Sequence, residues 1–292
     1  MPELPEVETI VNDLKTLLIG RRITDVAVNW EGIIAQPSDE LSQGRPQNRK
    51  GRLCDSSSSV SEFKRRIKNQ RILDIRRRGK YIIFDLSRGD SLLIHLRMAG
   101  QLLIGPCPTK LESYTRLILH LDNGQQLRFA DMRKLGRVYL VEDAEAIVGM
   151  LGPEPLADDF KLEDFARILE RRRGRIKSLL LNQRFIAGIG NIYANEILFA
   201  AGIHPLRKAD TLAPAEIEAL YHAIRRVLRR AIAERGTTFD GAYLDVRGRR
   251  GQYQESLRVL RREGKPCPRC GTPIVRIALG GRGTYFCPRC QE

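Results

Sequence analysis

The N-terminus places a cyclic amine beside a carboxylate, because Pro2 is followed directly by Glu3. Met1 precedes a small residue, so removal of the initiator methionine would leave Pro2 with a free secondary amine. An α-amino group titrates near pH ~8, so part of it is unprotonated at neutral pH and can attack an electrophilic carbon. Glu3 would then supply a carboxylate for proton transfer. The alternative interpretation is an ordinary helix start, since proline and acidic residues both suit a first helical turn.

Two Cys-x-x-Cys pairs near the C-terminus form a second candidate site. They are Cys267 with Cys270 and Cys287 with Cys290, and sixteen residues separate them. This spacing is typical of a zinc site with four thiolate ligands, which leaves no open position for water and is therefore structural. Two disulfides are the alternative, which a reducing compartment disfavours. The spacing predicts one structural Zn²⁺, with a hairpin between the pairs whose tip carries Arg282.

Basic residues exceed acidic ones by a wide margin. The 292 residues contain 50 Lys and Arg against 35 Asp and Glu, for a net charge of +15. Such an excess favours a polyanionic partner, nucleic acid above all, over a basic protein without a specific partner. No stretch approaches the ~20 apolar residues that span a bilayer. The N-terminus lacks a signal-peptide pattern, so no membrane partner and a cytoplasmic location are expected.

Several short motifs could serve nucleic-acid binding. Lys80 ends a basic run before a strand, and Arg172 lies in a second basic run, although either run could be a solvated face. Asn191 follows Gly188-Ile189-Gly190, a turn between two predicted helices, and the amides that open the second helix can hold a phosphate. Many helix–helix turns contain a Gly-x-Gly, but in a basic chain with a predicted zinc site this turn is a helix-turn-helix candidate for DNA. Arg133 lies with a bulky apolar group on one turn, and Met98 lies at a strand end. Methionine is more often a core residue, but arginine and apolar side chains are what filling a duplex after extrusion of a base requires.

The periodicity predicts an α+β protein. An amphipathic helix over 5–19 precedes a strand at Ile23–Val28. Seven further short apolar runs between 71 and 141 indicate an antiparallel sandwich or barrel. A polar stretch at 36–62 predicts a surface insertion, and the glycine-rich stretch 236–252 predicts a flexible loop. Helical patterns dominate after a linker at 151–155.

Taken together, these stretches resemble the formamidopyrimidine-DNA glycosylase family. The matching stretches are PELPEVET, RRRGKYIIFDL, HLRMAGQL, GIGNIYANEILFAAGIHP and GRGTYFCPRCQ. The resemblance implies an N-terminal helix with a β-sandwich, a helix–two-turn–helix domain and a C-terminal zinc finger. It implies a base-excision repair enzyme that removes 8-oxoguanine and formamidopyrimidines from double-stranded DNA and then cleaves the strand.

By the same resemblance, four residues are expected to be catalytic. Pro2 would form a Schiff base with the sugar, and Glu3 would be the general acid/base. Lys80 would act in β-elimination and phosphate binding. Arg282 would act in δ-elimination and phosphate contact.

The resemblance also implies DNA contacts. Met98 and Arg133 match residues that fill the gap left by the extruded base, Asn191 matches a phosphate-binding asparagine, and Arg172 is a looser match in a basic run. Leu135 stands where the family usually has phenylalanine. Tyr114 stands where a DNA-contacting histidine is usual.

The expected domains are a catalytic β-sandwich domain at 2–150 with an insertion at about 38–59, a helix–two-turn–helix domain at 151–260, and a zinc finger at 261–292. A monomer is expected. Two alternatives stay open at this point. One is the sister endonuclease VIII type, which prefers oxidised pyrimidines and usually begins Pro-Glu-Gly-Pro-Glu. The other is a zinc-dependent DNA-binding protein without catalysis, which the presence of all four expected catalytic residues disfavours.

Overall fold

The computed structural model describes residues 2–37, 56–107, 111–239, 241 and 243–292, with backbone alone for 56–58. Contacts divide the chain into two compact units. Unit 1 comprises Pro2, Glu6–Met150 and Thr238–Gly251. Unit 2 comprises Glu3–Pro5, Leu151–Thr237 and Gln252–Glu292. In the part of the chain that the structure describes, no helix is long and apolar enough to cross a membrane.

Among its described residues, unit 1 has eight strands in two antiparallel four-stranded sheets. The first sheet, in spatial order, consists of β1 (Ile23–Val28), β6 (Thr115–Leu121), β7 (Gln125–Ala130) and β5 (Gln101–Pro106). The second consists of β2 (Ile72–Arg78), β3 (Tyr81–Leu86), β4 (Ser91–His95) and β8 (Arg137–Val141). Inward-facing side chains of both sheets share one core, as alternation along strands requires. The predicted α+β class with an antiparallel sandwich is confirmed.

Helix α1 (Leu4–Leu18) contributes its apolar stripe to the same core. Val7, Ile10 and Leu14 lie three or four residues apart and are fully buried. The helix ends before Gly20, whose φ of +83° suits a glycine. A short helix, α3 (Glu145–Val148), lies just before Met150, where the long segment of unit 1 ends.

The polar stretch at 36–62 was predicted to be a surface insertion without regular structure. Residues 38–55 lie outside the described part of the chain. The prediction was wrong at its C-terminal end, where helix α2 spans Ser56–Ile67. Val60, Phe63 and Ile67 recur at helical spacing and are all buried, so this face packs on the core despite the serine-rich start.

Unit 2 is helical before its C-terminal hairpin. Its helices are α4 (Leu162–Glu170), α5 (Ile176–Leu180), α6 (Asn191–Ala201) and α7 (Pro214–Ala233). The hairpin pairs β9 (Val275–Leu279) with β10 (Arg282–Phe286). Gly280 and Gly281 form its two-residue turn with φ of +56° and +72°, which suits two glycines. Arg282 was expected in the tip; it is instead the first residue of β10, directly after the turn.

The glycine-rich stretch predicted to be a flexible loop is anchored in unit 1. Tyr243 and Val246 are 3% and 0% exposed and belong to the sandwich core. The Ile104 amide in β5 donates to the Val246 carbonyl at 2.9 Å. Composition alone did not show this, because two apolar residues among many glycines carry no periodicity.

Candidate active site and zinc centre

The Glu3 carboxylate is held by backbone amides that open helix α6. The amides of Gly190 and Ile192 donate to it at 2.7 and 2.8 Å, and that of Tyr193 at 3.4 Å. Glu3 is 2% exposed. These amides carry the positive pole of the helix, so a carboxylate is the side chain that suits this position. Sequence reasoning assigned the same amides to a phosphate, and the structure gives them to Glu3.

The contact of Glu3 with the start of helix α6 also explains the Gly-x-Gly motif. A Cβ on Gly190 would lie 2.3 Å from Glu3 Cδ, and one on Gly188 would lie 2.6 Å from Leu4 Cδ1. Gly188 also has a φ of +86°, whereas Gly190 has a φ of −129° that any residue adopts. Gly190 is therefore needed for space alone. The Leu4 amide completes the contact by donating to the Gly188 carbonyl at 3.0 Å.

Pro2 and Lys80 lie in unit 1. Pro2 is buried and directly precedes Glu3 in the chain. Lys80 is 7% exposed and occupies the two-residue turn between β2 and β3 with Gly79, whose φ is +56°. The turn is tied to α1, because the Arg77 guanidinium donates to the Glu8 carboxylate at 2.5 Å and to the Gly79 carbonyl at 3.1 Å. Lys80 thus extends from a fixed backbone.

Asn191 contacts strand β10, whose first residue is Arg282, and both lie in unit 2. Asn191 Nδ2 donates to the Gly283 carbonyl at 3.2 Å, which engages one of its two N–H groups. The Asn191 Oδ1 is buried without a hydrogen-bond partner. The Arg282 side chain is exposed at the start of β10. The structure therefore brings the predicted phosphate-binding asparagine next to the backbone that carries the predicted arginine.

A buried lysine that sequence reasoning missed, Lys177 on α5, supports this hairpin. Its Nζ donates to Asn195 Oδ1 at 3.1 Å, to the Gly283 carbonyl at 3.2 Å and to Thr284 Oγ1 at 2.7 Å. Burial lowers the pKa of Lys177 to about 8, and Arg282 also lowers it, while Glu3 acts in the opposite direction. The available signal was a lysine on the apolar face of a short helix, beside Ile176 and Leu180, which are both fully buried.

Met98 and Arg133, both in unit 1, are brought together. The Arg133 Nη1 approaches the Met98 sulfur at 3.9 Å. Met98 is 46% exposed and Leu135 41% exposed, so both apolar side chains remain largely open to solvent. Such exposure of large apolar groups marks a contact surface when the groups cluster.

The loop that carries Arg133 and Leu135 is folded around one buried carboxylate. Asp131 accepts the amides of Arg133 at 3.0 Å, Leu135 at 2.8 Å and Gly136 at 2.7 Å. Its own amide donates to the Tyr114 carbonyl at 2.9 Å, which places half-buried Tyr114 beside the loop. The loop is therefore preorganised, although its apolar tips are exposed.

Arg172 lies elsewhere in unit 2. It is exposed two residues beyond the end of α4, and its amide donates to the Leu169 carbonyl at 2.8 Å. With Arg167, Ile168 and Arg171 it lines a shallow depression of about 210 Å³. None of the contacts described above includes it.

The four predicted zinc ligands converge. The sulfurs of Cys267, Cys270, Cys287 and Cys290 all lie within 4.8 Å of one another. The Cys267–Cys290 and Cys270–Cys287 sulfur pairs are 3.9 and 3.5 Å apart. A tetrahedral ion with zinc–sulfur bonds of ~2.3 Å requires sulfurs ~3.8 Å apart, so the four thiolates fit Zn²⁺. The cluster of buried residues at the zinc site is small: besides Cys267 and Cys287 it comprises Phe199, Val259 and Ile274.

Models of protein families match three consecutive parts of the chain. Residues 1–138 match the N-terminal domain of formamidopyrimidine-DNA glycosylase, and residues 151–241 match its H2TH domain. Residues 264–292 match a zinc finger found in FPG and IleRS. The finger match and the four clustered sulfurs together establish one structural zinc. The class is thus a base-excision repair DNA glycosylase with a zinc finger.

Individual relatives agree over the full length. The formamidopyrimidine-DNA glycosylase of Pelotomaculum thermopropionicum is 45% identical, and the match covers 100% of this chain and 99% of that protein. The formamidopyrimidine-DNA glycosylase of Protochlamydia amoebophila is 42% identical, and the match covers 100% of both chains. Fpg of Lactococcus lactis, solved with DNA containing an abasic site, matches with 30% identity, a TM-score of 0.85 and 99% coverage of both chains. MutM (Fpg) of Thermus thermophilus matches with 36% identity, a TM-score of 0.82 and coverage of 99% of this chain and 98% of that chain. The chain belongs to the formamidopyrimidine-DNA glycosylase family.

Proposed function

We propose that this protein excises oxidised purines, 8-oxoguanine and formamidopyrimidines, from duplex DNA through a covalent imine on Pro2, and then cleaves the strand. The observation that carries the proposal is the Glu3 carboxylate, which three amides fix directly after Pro2. A buried carboxylate held this firmly, on the residue that follows the amine in the chain, is a proton-transfer group of defined position. The solved relatives from Lactococcus lactis include complexes with DNA that contains an abasic site or Fapy-dG.

The chemistry begins at the amine. After removal of Met1, the Pro2 nitrogen forms a bond with C1′ of the damaged nucleotide, the N-glycosidic bond breaks, and the base leaves with a proton. Glu3 in its protonated form gives a proton to the sugar ring oxygen, which opens the ring and leaves a positively charged imine, an iminium ion without an N–H, between the Pro2 nitrogen and C1′. The imine accepts electrons, so loss of a C2′ proton can expel the 3′ phosphate, and a second elimination expels the 5′ phosphate.

Two cations serve the departing phosphates in this proposal. Lys80 assists β-elimination from its fixed turn, and Arg282 assists δ-elimination from the start of β10. Each neutralises charge that develops on a phosphate oxygen, where a charge-assisted hydrogen bond is strong. Hydrolysis of the imine at the end returns Pro2 to its free amine.

The remaining DNA contacts follow from exposure and charge. Met98, Arg133 and Leu135 fill the space that an extruded base leaves. Asn191 binds a phosphate through its second N–H group, and Tyr114 and Arg172 contact the backbone. The zinc finger holds the strand that carries Arg282. Leu135 fills volume but does not stack on a base as an aromatic ring would. Discrimination between bases at this position therefore depends more on shape.

The proposal extends to organisation and compartment. We assign catalysis to residues 2–150, DNA binding to 151–260 and the zinc finger to 261–292, and we expect a monomer. A cytoplasm that holds DNA and keeps four cysteines reduced suits the zinc site.

Borohydride trapping tests the proposal. Purified protein is incubated with duplex that contains 8-oxoguanine opposite cytosine, or thymine glycol, and the covalent adducts are quantified. We expect an adduct mainly with the first duplex, because the assigned substrates are purines. Fpg of Lactococcus lactis has been solved with DNA that contains an oxidised pyrimidine, so the ratio of the two rates is the informative quantity.

Two outcomes would contradict the proposed chemistry, and a third would contradict the proposed substrate. No adduct with either duplex, despite tight binding, would mean that the protein does not form an imine. Full trapping by a Pro2→Gly variant would mean that the secondary amine of Pro2 is not required and that another amine, the new α-amine or a lysine, can form the adduct. A faster reaction with thymine glycol than with 8-oxoguanine would overturn the substrate assignment alone.

A further inference from the structure

His95 lies at the end of β4, where it contacts the strand that follows the Lys80 turn. It pairs across the sheet with Tyr81, and the two rings meet edge to face with centroids 4.6 Å apart and an interplanar angle of 72°. His95 is 8% exposed. Burial holds the pKa of His95 well below its usual value, and the charges of Arg97 and Lys80 lower it further. The ring is therefore neutral at neutral pH, with one nitrogen available as an acceptor.

That acceptor is used by the turn that follows. The Arg97 amide donates to His95 Nδ1 at 3.0 Å. Arg97 has a φ of +53°, a left-handed conformation that a residue with a Cβ adopts at a cost. The Gly100 amide closes the turn on the Leu96 carbonyl at 3.0 Å. An unfavourable backbone conformation persists when surrounding bonds hold it, and the His95 ring supplies one of them.

The turn presents Met98. This side chain lies between Arg97 and Gly100 in sequence, is 46% exposed, and meets the Arg133 guanidinium at 3.9 Å. A flexible thioether side chain is positioned mainly by the backbone beneath it. The conformation of Arg97 therefore decides where Met98 points.

We infer that His95 is a positioning residue for base excision, because its Nδ1 holds the strained Arg97 turn that aims Met98 into the duplex. The inference rests on the proposed function, in which Met98 fills the space of the extruded base. A buried histidine with only a packing role would need its ring but not its acceptor nitrogen. The two roles can therefore be separated by substitution.

Two variants separate them. His95→Phe keeps a ring against Tyr81 and removes the acceptor, whereas His95→Asn removes the ring and keeps an acceptor close to the position of Nδ1. Single-turnover excision of 8-oxoguanine from duplex DNA is measured for both. We expect His95→Phe to be at least ~10-fold slower, since small errors of position are costly in catalysis, and His95→Asn to recover most of the rate.

A double-mutant cycle connects the effect to Met98. We expect Met98→Ala to slow excision in the wild-type background and to cost little more in the His95→Phe background, because residues that act through one another are not additive. Arg97→Gly in the His95→Phe background should restore excision, since glycine adopts a positive φ without strain. This rescue keeps the test decisive if His95→Phe alone folds poorly.

The outcomes separate the inference from the function beneath it. If Met98→Ala leaves excision unchanged, the proposed role of Met98 is wrong. If Met98→Ala is slow while His95→Phe matches the wild type, only the inference on His95 fails. Additive losses, or a His95→Asn variant no faster than His95→Phe, would also overturn it.

Discussion

The contact between Gly190 and Glu3 gives the sharpest prediction. In a Gly190→Ala variant the new Cβ would lie 2.3 Å from Glu3 Cδ and 2.4 Å from its Oε1. An ordinary contact begins at 3.4 Å, so the carboxylate must retreat by the difference, 1.1 Å. The backbone cannot absorb this easily, because the Gly190 amide is itself one of the donors. A displacement of about 1 Å at a reacting group costs on the order of 100-fold in rate.

The assay is single-turnover excision of 8-oxoguanine, measured together with affinity for the same duplex. We expect Gly190→Ala to lose about 100-fold in the excision rate and to bind DNA almost normally, because Glu3 moves while the basic residues stay. Gly105→Ala is the matched control, since its Cβ meets only the Arg128 Nη2 at 3.8 Å. An unchanged excision rate in Gly190→Ala would refute the reasoning that the position of Glu3 limits the reaction.

Three further predictions follow from other parts of the molecule. Cys287→Ser should lose zinc and weaken DNA binding while the melting of unit 1 is unchanged, as metal analysis and calorimetry would show; Cys107→Ser, at an exposed thiol outside the zinc site, is the control. Lys177 has a folded pKa of about 8 against 10.5 in the unfolded chain, so between these pH values the unfolded state binds the extra proton and raising the pH favours folding. The free energy of unfolding should therefore rise from pH 8 to 10.5, by at most about 3 kcal/mol; a Lys177→Met variant with the same rise would contradict this. Leu135→Phe should tighten binding to 8-oxoguanine duplex by about 10-fold, because base stacking is worth ~1–3 kcal/mol; Leu73→Phe, at another exposed leucine, should change nothing.

Local pattern predicted most elements because local propensity and packing agree in them. The sandwich strands and helices α1 and α7 each have a clear period and a turn signal, and α6 is bounded by Gly190 and Gly202, so their existence follows from neighbours in sequence. The Cys-x-x-Cys pairs are equally local, since each pair forms its own knuckle. Where distant contacts do not oppose the local preference, the sequence pattern predicts the element directly.

The features that pattern did not predict depend on distant residues. The assignment of the α6 amides to Glu3 joins positions that are 187 and 189 residues apart, and nothing near Gly190 indicates which anion it serves. Lys177 gains its role from Asn195 and Thr284, and Val246 from the edge of β5. These are tertiary contacts, which override local preference and leave no period in the sequence.

The anchored segment Thr238–Gly251 has a consequence for synthesis. Unit 1 cannot be completed when Met150 leaves the ribosome, because 101 residues, 151–251, must still be made before the segment is complete. At ~5–20 residues per second this takes roughly 5–20 seconds. During that time Ile104 lacks its partner Val246, and β5, which lies at the edge of its sheet, is open to pairing with another chain. A nascent chain of this protein should therefore pass through an interval of susceptibility to aggregation, which slower translation would lengthen and which the arrival of Val246 would end.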